Sequence, residues 1–189
     1  MIKESKAENI RLAGWALIMG AIILALSGIS GQVMGFLLSM MLLVVGILGL
    51  RNRYGEQVGG FGKNILLIGA ILGSLTSVIG LVGALVDPYW ILIPAGPAVL
   101  FICLSLFGVV AIYMRPLSRW NALPLLAGVW YPVLFFPEFV SIINGNWIAG
   151  DYTHTITMTS IVLIILGCIA LCMLGYILQA DTSQDMETV

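Results

Sequence analysis

Residues 51–64 read RNRYGEQVGGFGKN. This polar segment holds three of the chain's eight basic residues, Arg51, Arg53 and Lys63, and separates one long apolar stretch (33–50) from another (65–86). A helix needs about 20 apolar residues to cross roughly 30 Å of hydrocarbon, so both flanks read as transmembrane spans. Outward from 51–64 the alternation continues, giving spans at 12–30, 33–50, 65–86, 92–114, 120–138 and 156–178. The remaining basic residues are Lys3, Lys6 and Arg11 before the first span, and Arg115 and Arg119 in the short gap RPLSR (115–119). They occur only before the first span and in every second gap after it. Lys and Arg in short loops stay on the cytoplasmic side during insertion. The expected fold class is therefore all-α: a polytopic membrane helix bundle of about six transmembrane helices with both termini cytoplasmic.

Bulk composition agrees. Of 189 residues, 60% are hydrophobic and 9% charged, against about a quarter charged in soluble domains; the mean hydropathy is +1.09. Residues 1–179 read as one transmembrane domain and 180–189 (ADTSQDMETV) as a flexible acidic tail. The first span is long and lacks an A-x-A cleavage pattern, so it reads as retained rather than as a signal peptide. No basic surface is large enough to suggest nucleic acid. The expected setting is the cell membrane, as a multi-pass protein, with the lipid bilayer as the first partner.

Aromatics mark the interfaces. Tyr54, Tyr113 and Trp120 fall near the inner side, and Tyr89, Trp90, Trp147 and Tyr152 near the outer side, as expected of interfacial belts. The fifth span is interrupted by Pro124, Pro132 and Pro137, each of which removes a helix hydrogen bond. It reads as a kinked span, with a broken or re-entrant segment as the competing reading. Each outward-going span opens on a basic residue and soon meets a small pair (Gly20-Ala21, Gly69-Ala70, Ala127-Gly128), a pattern that fits three similar hairpins.

Small residues recur at helical spacing along the second span (Gly35, Ser39, Gly46, Gly49) and the third (Gly69, Gly73, Thr76, Gly80, Gly83). Lipid supplies no hydrophobic drive between helices, so close backbone approach must hold them together. Gly69, Gly73 and Gly80 are thus expected at a helix-packing face, with the second and third spans paired as a hairpin. Packing within one bundle is preferred over a GxxxG-type dimer.

The chemical inventory is sparse. No Asp, Glu, Lys, Arg or His lies in the middle of a span, which argues against a charge-relay transporter. The outer side collects Asp87, Glu138, Asp151 and His154; loop solvation and capping of the sixth span explain these better than a metal. No metal site is assigned. Cys103, Cys168 and Cys172 lie inside spans and read as small apolar residues. With a single His and no G-x-S-x-G, neither an enzyme nor a cofactor is expected. One local feature invites a ligand. Trp130-Tyr131-Pro132 lies mid-span, followed by Phe135 and Glu138. A kink with aromatic walls, open outward toward Trp90, would suit a small apolar molecule, and plain core packing would use the same residues.

The stretches RLAGW (11–15), LGLRNRYGE (48–56) and PLSRWNALPLLAG (116–128) resemble segments of small uncharacterised six-span prokaryotic integral membrane proteins. That resemblance implies packed helices in the prokaryotic inner membrane and no particular activity. Ala21 and Ala25 have the A-x-x-x-A spacing with which the first span of S-components of energy-coupling-factor transporters contacts its transport module, a similarity that implies an outward vitamin-binding site. The expected function is a structural or accessory helix bundle, partnered by other membrane proteins or a second copy. The alternative is a binding or transport component for a small neutral or apolar ligand, at Trp90, Trp130, Tyr131, Phe135 and Glu138.

Overall fold

The computed structural model describes residues 2–30, 33–86, 92–117, 119–143 and 158–187. These form six helices and, among the described residues, no strand: α1 (Ile2–Ser30), α2 (Val33–Tyr54), α3 (Gly59–Val86), α4 (Leu92–Met114), α5 (Leu123–Ile143) and α6 (Met158–Glu187). Five of them are long and apolar enough to cross a membrane. Only a helix satisfies all its backbone groups within its own segment, which is why a chain this apolar folds as nothing else in lipid. The fifth span is unbroken through its prolines: α5 has 21 residues, about 30 Å at the usual rise. The ends also run further than expected. The acidic segment 180–187, expected as a flexible tail, continues α6 as helix.

Each helix packs against its neighbours in sequence, and α1 against α6 closes the set into a ring. Helix α2 also touches α4 and α6 across the ring, so the centre is filled rather than hollow. Leu17, Leu43, Leu66, Leu104, Phe107 and Leu171 are fully enclosed there. The outer surface is inverted relative to a soluble protein: Leu26, Met41, Phe61, Ile71, Phe136 and Leu166 all lie more than half exposed. That is the surface a hydrocarbon solvent requires.

Glycines set most of the helix contacts. At α1/α6, a Cβ on Gly14 would sit 2.7 Å from the Gly175 carbonyl oxygen, and one on Gly175 would sit 2.6 Å from that of Gly14. At α3/α4, Gly73 and Gly96 face each other in the same reciprocal way, with 3.2 and 2.8 Å to the opposite carbonyl. At α4/α5, a Cβ on Gly108 would fall on the backbone nitrogen of Leu125. Gly46 and Gly49 of α2 lie against Leu17 and Ala13 of α1.

This pairing corrects the expected one. The small faces of α2 and α3 do not meet each other; α2 spends its glycines on α1, and α3 spends Gly69 and Gly73 on Cys103 and Leu100 of α4. The GxxxG at Gly69 and Gly73 is therefore taken up inside the chain. Gly80 and Gly83 lie outside the described side chains. A stripe of small residues shows that a helix has a close-packing face but carries no label for the partner. Between α2 and α3 contact is the weakest of any pair adjacent in the ring.

The connections follow local rules. Gly59, opening α3, has φ +73°, a left-handed conformation that costs glycine nothing. Directly after α4, Arg115 has φ 54°, its N–H donating to the Ala111 carbonyl at 2.8 Å, and Pro116 follows to block continuation. Asn121 Oδ1 then accepts from the Leu117 N–H at 2.9 Å, pinning the turn into α5. Buried hydroxyls ask for no outside partner. Ser27, Ser39 and Ser77 donate to carbonyls of their own helices at 3.1, 2.6 and 2.7 Å.

Backbone contact at Gly108 predicts a sharp contrast between two small substitutions. Gly108→Ala should destabilise the protein by about 2–3 kcal/mol, because overpacking against backbone cannot be relieved by a side-chain rotation. Gly60→Ala, where nothing lies within 4 Å of the added carbon, should leave stability unchanged. Thermal unfolding in detergent measures both.

Candidate functional site

The sequence-predicted pocket divides in two. Trp90 and the side chains of Phe135 and Glu138 lie outside the described residues, as do Asp87, Asp151 and His154. Trp130 and Tyr131 are described, and they are core: 5% and 2% exposed. Helix α5 presents them inward to Phe101 of α4. The Phe101 and Tyr131 rings stack with centroids 5.0 Å apart, and Trp130 meets Phe101 and Tyr131 edge-on at 5.2 and 5.4 Å. On the far side the indole lies on Gly167 of α6, where any Cβ would overlap it. Three helices are thus locked by one filled aromatic cluster, an arrangement that stabilises beyond its buried area. The indole Nε1–H is buried with no hydrogen-bond partner among the described residues.

Open space lies elsewhere. A cavity of about 240 Å³ sits in the α2/α3 seam, walled by Met40, Met41 and Val44 of α2, Ser77 and Val78 of α3, and Leu100 of α4. It occurs where two helices adjacent in the ring share no glycine contact among the described residues. The Ser74 and Ser77 hydroxyls at its edge already donate to Ala70 and Gly73 carbonyls at 2.6 and 2.7 Å. Its lining therefore offers apolar contact and little else, suited to hydrocarbon rather than to an ion.

At the bundle end that carries the basic residues, three polar contacts join helices among the described residues. Arg51 Nε donates to the Lys63 carbonyl at 3.3 Å, tying α2 to α3. Tyr54 OH donates to Asp181 Oδ2 at 2.5 Å, and Arg53 Nη2 to the Asp181 carbonyl at 3.4 Å, tying α2 to α6. Tyr54 was expected in an interfacial belt but is 1% exposed. Its phenol reaches the carboxylate of the α6 extension instead, which the sequence could not signal because the two residues are 127 apart. The same bond accounts for residues beyond 179 being ordered as helix. The α2/α3 seam is consequently fastened by Arg51 at the basic end and holds its cavity further toward the other end.

Ala21 of the A-x-x-x-A pair is fully buried in the core, and Ala25 packs partly buried beside it. Both are engaged within the chain. Cys103, Cys168 and Cys172 are free thiols. The chain matches no family model, no curated protein and no solved structure.

Two sets of substitutions test these assignments. Trp130→Ala should cost about 3–5 kcal/mol as a large core truncation. Trp130→Phe, which also removes the unpartnered N–H, should cost far less. A cost near zero for Trp130→Ala would contradict the aromatic lock. Tyr54→Phe should lose about 1.5–3 kcal/mol, the range for a hydrogen bond to a charged group. Adding Asp181→Asn to Tyr54→Phe should then change little, so the double-mutant cycle in detergent unfolding should show strong coupling.

Proposed function

We propose that the protein is a multi-pass integral membrane protein of the prokaryotic inner membrane, acting as a structural or accessory helix bundle without catalytic machinery. The observation that carries this is the distribution of charge over the ring. Every described basic side chain belongs to one end: Arg11 lies in the N-terminal third of α1, Arg51 and Arg53 in the last turn of α2, Lys63 near the start of α3, and Arg115 and Arg119 between α4 and α5. That end is cytoplasmic under the positive-inside rule. Between the two ends, the described outer surface is continuous hydrocarbon and the described interior is packed side chain. Such a bundle offers other membrane proteins, or a second copy, a long apolar face and little chemistry.

A second reading is a binding or transport component for a small neutral or apolar ligand. The α2/α3 cavity favours it, since among the described residues this seam is held without close glycine contact and the cavity is lined by apolar groups. Trp130 and Tyr131 do not support it, because they are packed. A co-purifying molecule of defined mass, released when Ser77→Phe fills the cavity, would favour the ligand reading. A stable stoichiometric protein partner would favour the accessory reading.

The topology has its own test. In a background free of native cysteines, Gly60→Cys and Gly150→Cys should react with an impermeant thiol reagent from opposite faces of the membrane. Labelling from the same face would overturn the arrangement.

A further inference from the structure

A second cavity, of about 430 Å³, runs over the outer face of α6 near its cytoplasmic end. Cys172, Met173, Tyr176 and Ile177 form its floor, Ile18 of α1 one wall, and Trp120, just ahead of α5, the other. The lining is apolar, and its one thiol is directed at the Ile18 carbonyl oxygen, 3.9 Å away. A methylene takes up about as much space as a water molecule, ~30 Å³, so the groove has room for roughly a dozen of them. Trp120 and Tyr176 are 48% and 67% exposed, the amphipathic pair expected at headgroup level.

Cations stand at its mouth. Arg11 precedes Ile18 by seven residues on α1 and so lies on the same face, about 10 Å nearer the cytoplasmic end. Arg119 adjoins Trp120 in the chain, and Arg115 belongs to the same turn. All three are exposed, and none makes an ion pair with another described residue. Glu8, one turn before Arg11, is also exposed and unpaired among the described residues. Apolar groove, interfacial aromatics and exposed guanidinium groups follow one another in the order in which a phospholipid presents its chain, its glycerol region and its phosphate.

We infer that this groove binds an anionic phospholipid of the cytoplasmic leaflet, with an acyl chain over α6 and its phosphate between Arg11 and Arg119. The inference rests on the orientation proposed above. Basic pockets between helices on the cytoplasmic side favour anionic headgroups, while the acyl chain alone would not discriminate between lipids.

The test is native mass spectrometry of delipidated protein in neutral detergent, titrated with phosphatidylglycerol or with phosphatidylcholine of the same chains. The first phosphatidylglycerol should bind roughly thirtyfold more tightly than the first phosphatidylcholine, as two nearby cations would provide. The Arg11→Gln/Arg119→Gln variant should fold with unchanged thermal stability and lose that preference. Lys63→Gln, at the same end but away from the groove, should keep it. Equal affinity for the two lipids, or a preference that survives Arg11→Gln/Arg119→Gln, overturns the site. Cysteine labelling from opposite faces together with equal lipid affinities overturns the lipid site alone. Labelling from one face overturns the orientation beneath it.

Discussion

In hydrocarbon, two apolar helices gain nothing from leaving the solvent, because the solvent is as apolar as they are. Association must come from van der Waals contact at close range, and only a helix face without side chains allows backbones to approach that closely. In this protein the contacts that depend on that constraint are Gly14 with Gly175, Gly73 with Gly96, and Gly108 with the Leu125 backbone. They close the ring between α1 and α6, bind α3 to α4, and seat α5 on α4. The filled centre and the aromatic lock on Gly167 are possible because these seams are already tight.

The exception to that rule organises the rest. Helices α2 and α3 are consecutive, yet each gives its small face to the other neighbour. What remains between them is a side-chain seam with a cavity, fastened at the basic end by Arg51 on the Lys63 carbonyl. Among the described residues, Arg51, Arg53 and Tyr54 make polar contacts between helices at that same end, where water and headgroups lower the cost of leaving a polar atom imperfectly paired. Tyr54 and Asp181 are the clearest case: a buried phenol meets a carboxylate at the end of the membrane domain, and α2 is held to α6 across the ring.

Much of the architecture was legible in the chain. Length and hydropathy marked every span, because twenty apolar residues have one folded solution in lipid. The start of α4 at Leu92 and its end at Met114 coincide with the expected limits. Packing partners were not legible. Gly46 and Gly69 look alike as letters, and only their rotation about two helix axes sends one to α1 and the other to α4. Tyr54 read as interfacial since its position near the end of a span suits a belt, and its burial depends on a residue 127 positions away. Trp130 and Tyr131 suit a bundle core by sequence more readily than a pocket; the rings of Phe101 and the bare face of Gly167 made them core.

The sequence by itself determined the helices, their number and their apolar exterior, for these follow from composition and order along one chain. The tertiary structure decided which glycine faces which helix, where a seam is left open, and that an apolar groove runs beside α6. Those depend on the relative rotation and depth of helices distant in sequence. That geometry is set by contacts of a few ångströms, which no local pattern records.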